Sequence, residues 1–468
     1  MANTVNGLLT TYGLTAMVGI AANLVAKSQI SIQTATVAGF IGHPQAWSPY
    51  DDNTVPIPTE EPTTIKEVFK NMIALKQVQY TTVAPVVPRF DWSTGTVYSQ
   101  YSQYENPFEF DANGIQINPF YVRNSYDQVF KCLDNNKGAP STVEPAIIPG
   151  STSVSGTLYL TDGYTWKYLT TIDKGLKKTF FDNQWMPLTF QIIPPNTGII
   201  NADSAGFGKI DAIRVLTPGV FFTQSSAVVT IVGDGGYATA TANVDVGGGI
   251  NNIIVTNPGL NYTFANVYIS GGGGATAEAV ISPIGGTGYD PVSELGCNHL
   301  MFTFEFNNDE HLEIDSSLTG QVPLPTDISY RQVGIIVNPI LNNLTNPSFI
   351  ASTYNAADTI LTAAGVGKFL VNPAEPVYQG TSFSSATWAG VVTKHDIANN
   401  IVQVINTHGL FQTGQNIIGA YSGIQRIPLQ YTPTIVNIGS GYMMYYENRS
   451  PVQRSATGNE QIRIVLKF

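Results

Sequence analysis

The clearest helical period lies early in the chain. Ile65, Val68, Phe69, Met72 and Ile73 recur at intervals of three and four, which places one apolar stripe along a helix. Thr64 followed by Glu67 has the spacing of a capping box, in which each side chain can satisfy an orphan amide of the first turn. Pro56, Pro58 and Pro62 bar extension backwards, so the pattern predicts a capped helix over 64–78. A second apolar stretch, Leu14 to Val25, contains Asn23 and has no basic segment before it. It is too short to span a bilayer and reads as an amphipathic helix packed on the body rather than a signal peptide. Elsewhere short apolar runs are split by turns. With 44 Gly, 28 Pro, 23 Tyr and 22 Phe among 468 residues, those runs read as short strands joined by tight turns. The predicted class is α+β, mainly β.

A repeat occupies the middle of the chain. Ile213-Arg-Val-Leu-Thr-Pro-Gly219 returns as Ile253-Ile-Val-Thr-Asn-Pro-Gly259, and Ile231-Val-Gly-Asp-Gly-Gly-Tyr-Ala-Thr239 returns as Ile269-Ser-Gly-Gly-Gly-Gly-Ala-Thr276. One copy cannot bury its apolar face alone, so the two are expected to pack together as a small all-β module over 205–285. A second small β module is expected over 346–433, where Val377–Gly380, Ala389–Val392, Ile401–Val404 and Phe411–Ile417 are short runs split by turns. Three pieces remain, 1–204, 286–345 and 434–468. The last is too short to hold a core by itself, so the three are expected to form one discontinuous core of β-sheets with a few helices, the modules being inserted in its loops. On that map, excising 205–285 leaves a folded core.

Charge narrows the function classes. Charged residues are 12% of the chain and the net charge is −11. Neutralising phosphates takes clusters of Lys and Arg, so no nucleic-acid partner is expected. The one basic run, Lys174 to Lys178, reads as a solvated turn. Cys132 and Cys297 are too few for a disulfide framework or a four-cysteine zinc site. The five histidines have no helical zinc spacing, and Asn307–Asp315 lacks the acidic spacing and central glycine of a calcium loop. Gly247–Gly249 and Gly271–Gly274 lack the Gly-Lys-Ser/Thr of a phosphate loop and read as strand turns. Gly380-Thr-Ser-Phe-Ser-Ser-Ala386 resembles the serine box of subtilisin-type proteases, but no upstream histidine has the setting of a base, so it reads as a polar turn. No catalytic residue, metal, cofactor or small-molecule substrate is assigned. Tyr98, Tyr101, Tyr104, Phe108, Phe110, Phe120, Tyr121 and Tyr126 crowd one stretch; sugar stacking is one reading, core plus protein interface the preferred one.

Five stretches go further. They are Val87-Pro88-Arg89-Phe90-Asp91-Trp92, Tyr126–Asp134, Asp162-Gly163-Tyr164-Thr165-Trp166-Lys167-Tyr168-Leu169, Tyr330-Arg331 through Asn338-Pro339, and Gly441–Pro451 with Glu447, Asn448 and Arg449. In that order they resemble the baseplate wedge protein of T-even-type contractile-tailed phages, the product of their gene eight. Phe40–Trp47, with its proline-rich loop and helix, is similar to that family's N-terminal portion. The resemblance covers the three core pieces; the two β modules depart from it. It implies a virion tail-baseplate component, made in the host cytoplasm, that forms a homodimer and binds other wedge proteins without catalysis, cofactor or membrane. The alternative is a carbohydrate-binding or hydrolytic phage tail protein. Beside the resemblance, Asp162-Gly163-Tyr164 reads as a turn with glycine at positive φ, launching a strand on which Trp166 and Tyr168 share a face. Arg89 with Asp91 and Glu447 with Arg449 are candidate charge-assisted pairs.

Overall fold

The computed structural model describes residues 7–10, 20, 36–48, 52, 54–104, 119–149, 153, 156–189, 208–283, 285–307, 310–312, 322–342, 353–455 and 457–467. Strand accounts for 49% and helix for 8%, so the chain is α+β and mainly β. It divides into two compact units, 1–83 with 300–468, and 84–299. The division cuts the 1–204 piece between Val83 and Ala84 and leaves the repeat inside the second unit. Among the described residues no helix is long and apolar enough to cross a membrane. The Leu14–Val25 stretch lies almost entirely outside the described residues.

In the first unit, six antiparallel strands run in the order Gly7–Leu9, Tyr442–Gln453, Ser329–Val337, Val37–Gly42, Met72–Gln77 and Thr353–Asn355. Both faces are covered. Ile41, Val333, Ile335 and Tyr445 enter one apolar cluster, and their neighbours Phe40, Ile336 and Tyr446 enter another on the opposite face. Such strands read as continuous apolar runs rather than alternating ones.

That burial overturns the long helix. The helix is Pro62–Lys70, with Pro62 in its first turn and no side-chain cap; the Thr64 hydroxyl accepts a hydrogen bond from Thr59 Oγ1 instead. Val68 and Phe69 are buried, but Met72 and Ile73 belong to a strand. A helix would bury one side of Met72–Leu75, whereas the sheet buries all four residues. Asn71 makes the corner: its amide closes the helix on Glu67, and its carbonyl accepts from the His43 amide as Met72 comes opposite Gly42.

A seven-stranded sheet spans Asp358 to Thr432 within the same unit, around Ile360, Val377, Trp388, Val392, Val402 and Val404. Val391 and Ile405 point away from it and join the cluster of Ile41 and Val333.

The second unit holds a four-stranded sheet in the order Tyr121–Arg123, Gln128–Asn135, Tyr164–Thr171, Thr157–Tyr159. Its helix, Lys174–Phe180, starts where Asp173 Oδ1 accepts from the amides of Gly175 and Leu176. The repeat forms a separate six-stranded sheet whose end strands, Val228–Gly233 and Thr239–Val244, lie against each other, so the sheet nearly closes on itself. Ile213 stands opposite Ile253, and Thr230 opposite Tyr268. The repeat offsets are 253 − 213 = 40 and 268 − 230 = 38, so each pair consists of equivalent residues from the two copies. Equivalent residues facing each other across antiparallel strands are what a two-fold axis produces. Gly219 and Gly259, with φ of 67° and 65°, keep the same turn in both copies. A Cβ at either would collide with backbone, which fixes glycine there.

The barrel-like sheet is tied to the four-stranded sheet by buried cations. Lys167 Nζ lies 2.8 Å from Asp211 Oδ1, both side chains being 1% exposed. Arg214 donates to the carbonyls of Leu133 and Tyr101 and lies 3.9 Å from Glu278. Gln103 accepts from the Ile281 amide and donates to the Ala279 carbonyl. Asp211→Ala would take from Lys167 the carboxylate it meets in the interior, at a cost of about 3–5 kcal/mol. We expect that variant to unfold at a lower temperature and the double variant Lys167→Met/Asp211→Ala to regain most of the loss. An Asp211→Ala protein that unfolds at the wild-type temperature would show that the pair is not structural.

Candidate functional site

Five residues of the motifs singled out in the sequence converge in the first unit. The adjacent strands Ser329–Val337 and Tyr442–Gln453 present Arg331, Glu447, Asn448 and Arg449, and the 43–59 segment brings Trp47 onto them. Arg331 is 3% exposed. Its guanidinium grips the Asp52 carboxylate with two nitrogens, Nε at 2.7 Å from Oδ1 and a terminal nitrogen on Oδ2, and its third nitrogen donates to the Pro44 carbonyl at 2.8 Å. The fork of Arg fits this bidentate use, which a lysine could not reproduce. Trp47 Nε1 donates to the Arg449 carbonyl at 2.9 Å, and its ring stacks on His43 with centroids 4.0 Å apart.

The same segment is stitched down further along. Asn448 Nδ2 donates to the Pro56 carbonyl at 2.9 Å while its Oδ1 accepts from Gln332 Nε2 at 2.8 Å. The Tyr446 hydroxyl donates to the Thr59 carbonyl and accepts from the Thr59 amide, both at 2.7 Å. Arg449 pairs with Glu447 at 3.0 Å. Asn338 and Pro339 follow the Ser329–Val337 strand, where Asn338 takes a φ of 54° and exchanges hydrogen bonds with the Thr36 backbone.

Electrostatics follow from this packing. The Arg331 hydrogen bond holds the Asp52 carboxyl below its ordinary range. Burial, reinforced by the Arg331 charge, lowers the His43 pKa to about 4. His395 is likewise lowered to about 4, by burial and then by Arg426 and Lys368, and its Nδ1 accepts from the Phe369 amide at 2.9 Å.

A second junction forms in the other unit. Asp91 Oδ1 and Oδ2 each lie 3.0 Å from Arg89 Nε, and Arg123 donates to Oδ1 at 2.7 Å. Arg123 continues to Asp127 at 2.7 Å, and Lys177 reaches the same carboxylate at 2.8 Å. Burial works against charged Asp91 and Asp127, but these hydrogen bonds outweigh it and keep both carboxyls below the usual range. The Phe181 ring lies beneath all three cations, 4.4 Å from Arg89, 4.8 Å from Arg123 and 5.3 Å from Lys177. Pro88 contributes its carbonyl to the Tyr121 hydroxyl at 2.9 Å.

Trp92 and Asp162 meet through Ser141, which accepts from Trp92 Nε1 and donates to Asp162 Oδ2, both at 3.1 Å. Asp162 also caps the amides of Thr142, Val143 and Tyr164. Gly163 has a φ of 84°, and a Cβ there would strike Asn136. The strand it launches puts Tyr164, Trp166 and Tyr168 in one cluster with Tyr98 and Phe130. Tyr164 stacks on Trp166 and Tyr98 meets it edge-on.

The other candidates resolve into structure. Tyr98, Phe120 and Tyr121 are buried core residues, Tyr104 and Tyr126 are exposed, and Phe108 and Phe110 lie outside the described residues. The hydroxyls of Thr381, Ser382, Ser384 and Ser385 hydrogen-bond one another around a short turn. Glu310 pairs with Lys76 at 2.6 Å, while 308–309 and 313–315 lie outside the described residues. Among the described residues no group of three or more His, Cys, Asp or Glu converges as a metal site would. Cys132 is buried, and burial pushes the Cys297 thiol up to about 12. Sequence reasoning missed Asp52, Arg123, Asp127, Lys177 and the buried Lys131 and Lys167. The lysines were visible as lone cations inside apolar strands, a pattern that demands a carboxylate partner. No protein-family model matches the chain, and no curated protein does.

Arg331→Met removes the fork and leaves Asp52 with the Trp47 amide alone and the Pro44 carbonyl without its donor, at about 1.5–3 kcal/mol. We expect a lowered Tm together with a red-shifted Trp47 emission, since the 43–59 segment loosens. An unchanged spectrum and Tm would show that the segment is held otherwise. For pH the sign is fixed by the lowered histidine values. Between pH 6.5 and about 4 the unfolded chain binds protons that native His43 and His395 refuse, so stability falls with pH across that window. The slope is at most about 1.4 kcal/mol per pH unit for each ring. Thermal unfolding from pH 7 to 4.5 reads it, and His43→Asn, compatible with the positive φ at that position, flattens it.

Proposed function

We propose that the chain is a non-enzymatic structural component of a contractile-tail baseplate wedge, acting by contacts with a second copy of itself and with other wedge proteins in the virion. One observation carries the reading. The residues through which the sequence resembles that family, up to 402 positions apart, spend their polar atoms inside the fold, on one another and on neighbours such as Asp52, Pro56 and Ser141. Trp47, Arg331, Glu447, Asn448 and Arg449 make one junction; Arg89 and Asp91 belong to a second, and Trp92 meets Asp162 beside it. Residues committed in this way keep a scaffold in shape. A chain with 12% charged residues, whose exposed large apolar side chains include Phe221, Tyr237, Val246 and Tyr442, suits repeated burial against neighbours.

Light scattering on a sizing column at tens of micromolar is expected to return a dimer. Co-expression with tail genes from the same genome is expected to yield a co-purifying complex. A monomer that captures none of those products, or clear binding or turnover on a glycan array, would overturn the reading.

A further inference from the structure

The Lys167–Asp211 pair is set up for more than attraction. Lys167 sits in the middle of the Tyr164–Thr171 strand and Asp211 at the start of the Ile210–Val220 strand. Their side chains are each 1% exposed, and Nζ approaches Oδ1 to 2.8 Å. Yet Oδ1 receives no hydrogen bond of acceptable geometry. The amine is thus close to the carboxyl without lying along an ordinary hydrogen-bonding direction. The other oxygen, Oδ2, accepts from the Thr287 hydroxyl, which is fully buried. The void beside the pair, lined by Thr157, Tyr159, Ile210, Val255 and Pro258, has no room for a water molecule.

With no room for water beside them, the amine and the carboxyl face each other directly, and condensation would remove both charges from the interior.

We propose that Lys167 and Asp211 condense spontaneously into an intramolecular amide, covalently fastening the repeat module to the four-stranded sheet. One proton passes from the ammonium to the carboxylate. Nζ then attacks Cγ, with Thr287 donating to Oδ2 as charge builds on that oxygen. The Cγ–Oδ1 bond breaks, and Oδ1 leaves as water with the proton already gained and one shed by Nζ. Ammonium plus carboxylate become amide plus water, so atoms and charge balance without any oxidant or co-reactant. Exclusion of water then protects the product from hydrolysis.

The test is the intact mass of the full chain under denaturing conditions. The expected mass is lower than that of the sequence by one water, about 18 Da. Tryptic digestion should yield one branched peptide joining Lys167 to Asp211, with no cleavage after Lys167. Lys167→Arg and Asp211→Ala should each return the sequence mass. Wild-type protein at its full sequence mass overturns the proposal whatever the variants do. So does a deficit that persists in Lys167→Arg and Asp211→Ala, which would place the dehydration elsewhere.

Discussion

A buried cation cannot stand alone, and the second unit is organised around that constraint. Lys131 and Lys167 face each other across adjacent strands, inside a sheet whose buried residues include Val129, Phe130, Trp166 and Leu169. Leaving either ammonium unmatched in such surroundings would cost several kcal/mol. Each is therefore met by a carboxylate from elsewhere in the chain, Glu294 for Lys131 and Asp211 for Lys167. Those partners fix where the Pro291–Glu294 helix and the repeat must come to rest. Apolar contacts such as those of Leu133, Ala212 and Val280 tolerate sliding; a lysine and an aspartate held at 2.8 Å do not.

The first unit reaches the same end by a different route. Its central sheet is apolar on both faces, so its specificity lies at the rim, where Arg331 and Asn448 reach out of the strands to hold residues 43–48 and 54–59, none of which lies in a helix or strand. Proline carbonyls are useful there. Pro44 and Pro56 interrupt the segment, cannot donate, and offer free acceptors to side chains that can.

Local chemistry was legible in the sequence where it is decided locally. The mainly β class, the turn at Gly163 and the shared face of Trp166 and Tyr168 are properties of a few neighbouring residues. The helix boundary was not legible, because Met72 and Ile73 satisfy a helical period and a doubly buried strand equally well. Only the presence of Val37–Gly42 and Thr353–Asn355 on either side decides between them. The junction partners were hidden for the same reason. Asp52 is 279 positions from Arg331, and nothing in either neighbourhood announces the other.

The internal two-fold of the repeat makes each half a reference for the other. Asp211 and Arg214 occupy the positions of Asn251 and Ile254 in the second copy. The charged pair that anchors the module is thus absent from its twin, although both copies keep the same turns and the same buried isoleucines, Ile210 and Ile250. A similar break occurs past the glycine turn. Asn261 adopts a φ of 65°, as asparagine readily does, while its counterpart Phe221 holds the same angle with a bulky, solvent-facing ring. One copy has taken on both the attachment and the awkward aromatic; the other retains the side chains the fold would choose for itself. The module is symmetric in shape and polar in role, with one copy specialised for its setting and the other preserving the geometry they share.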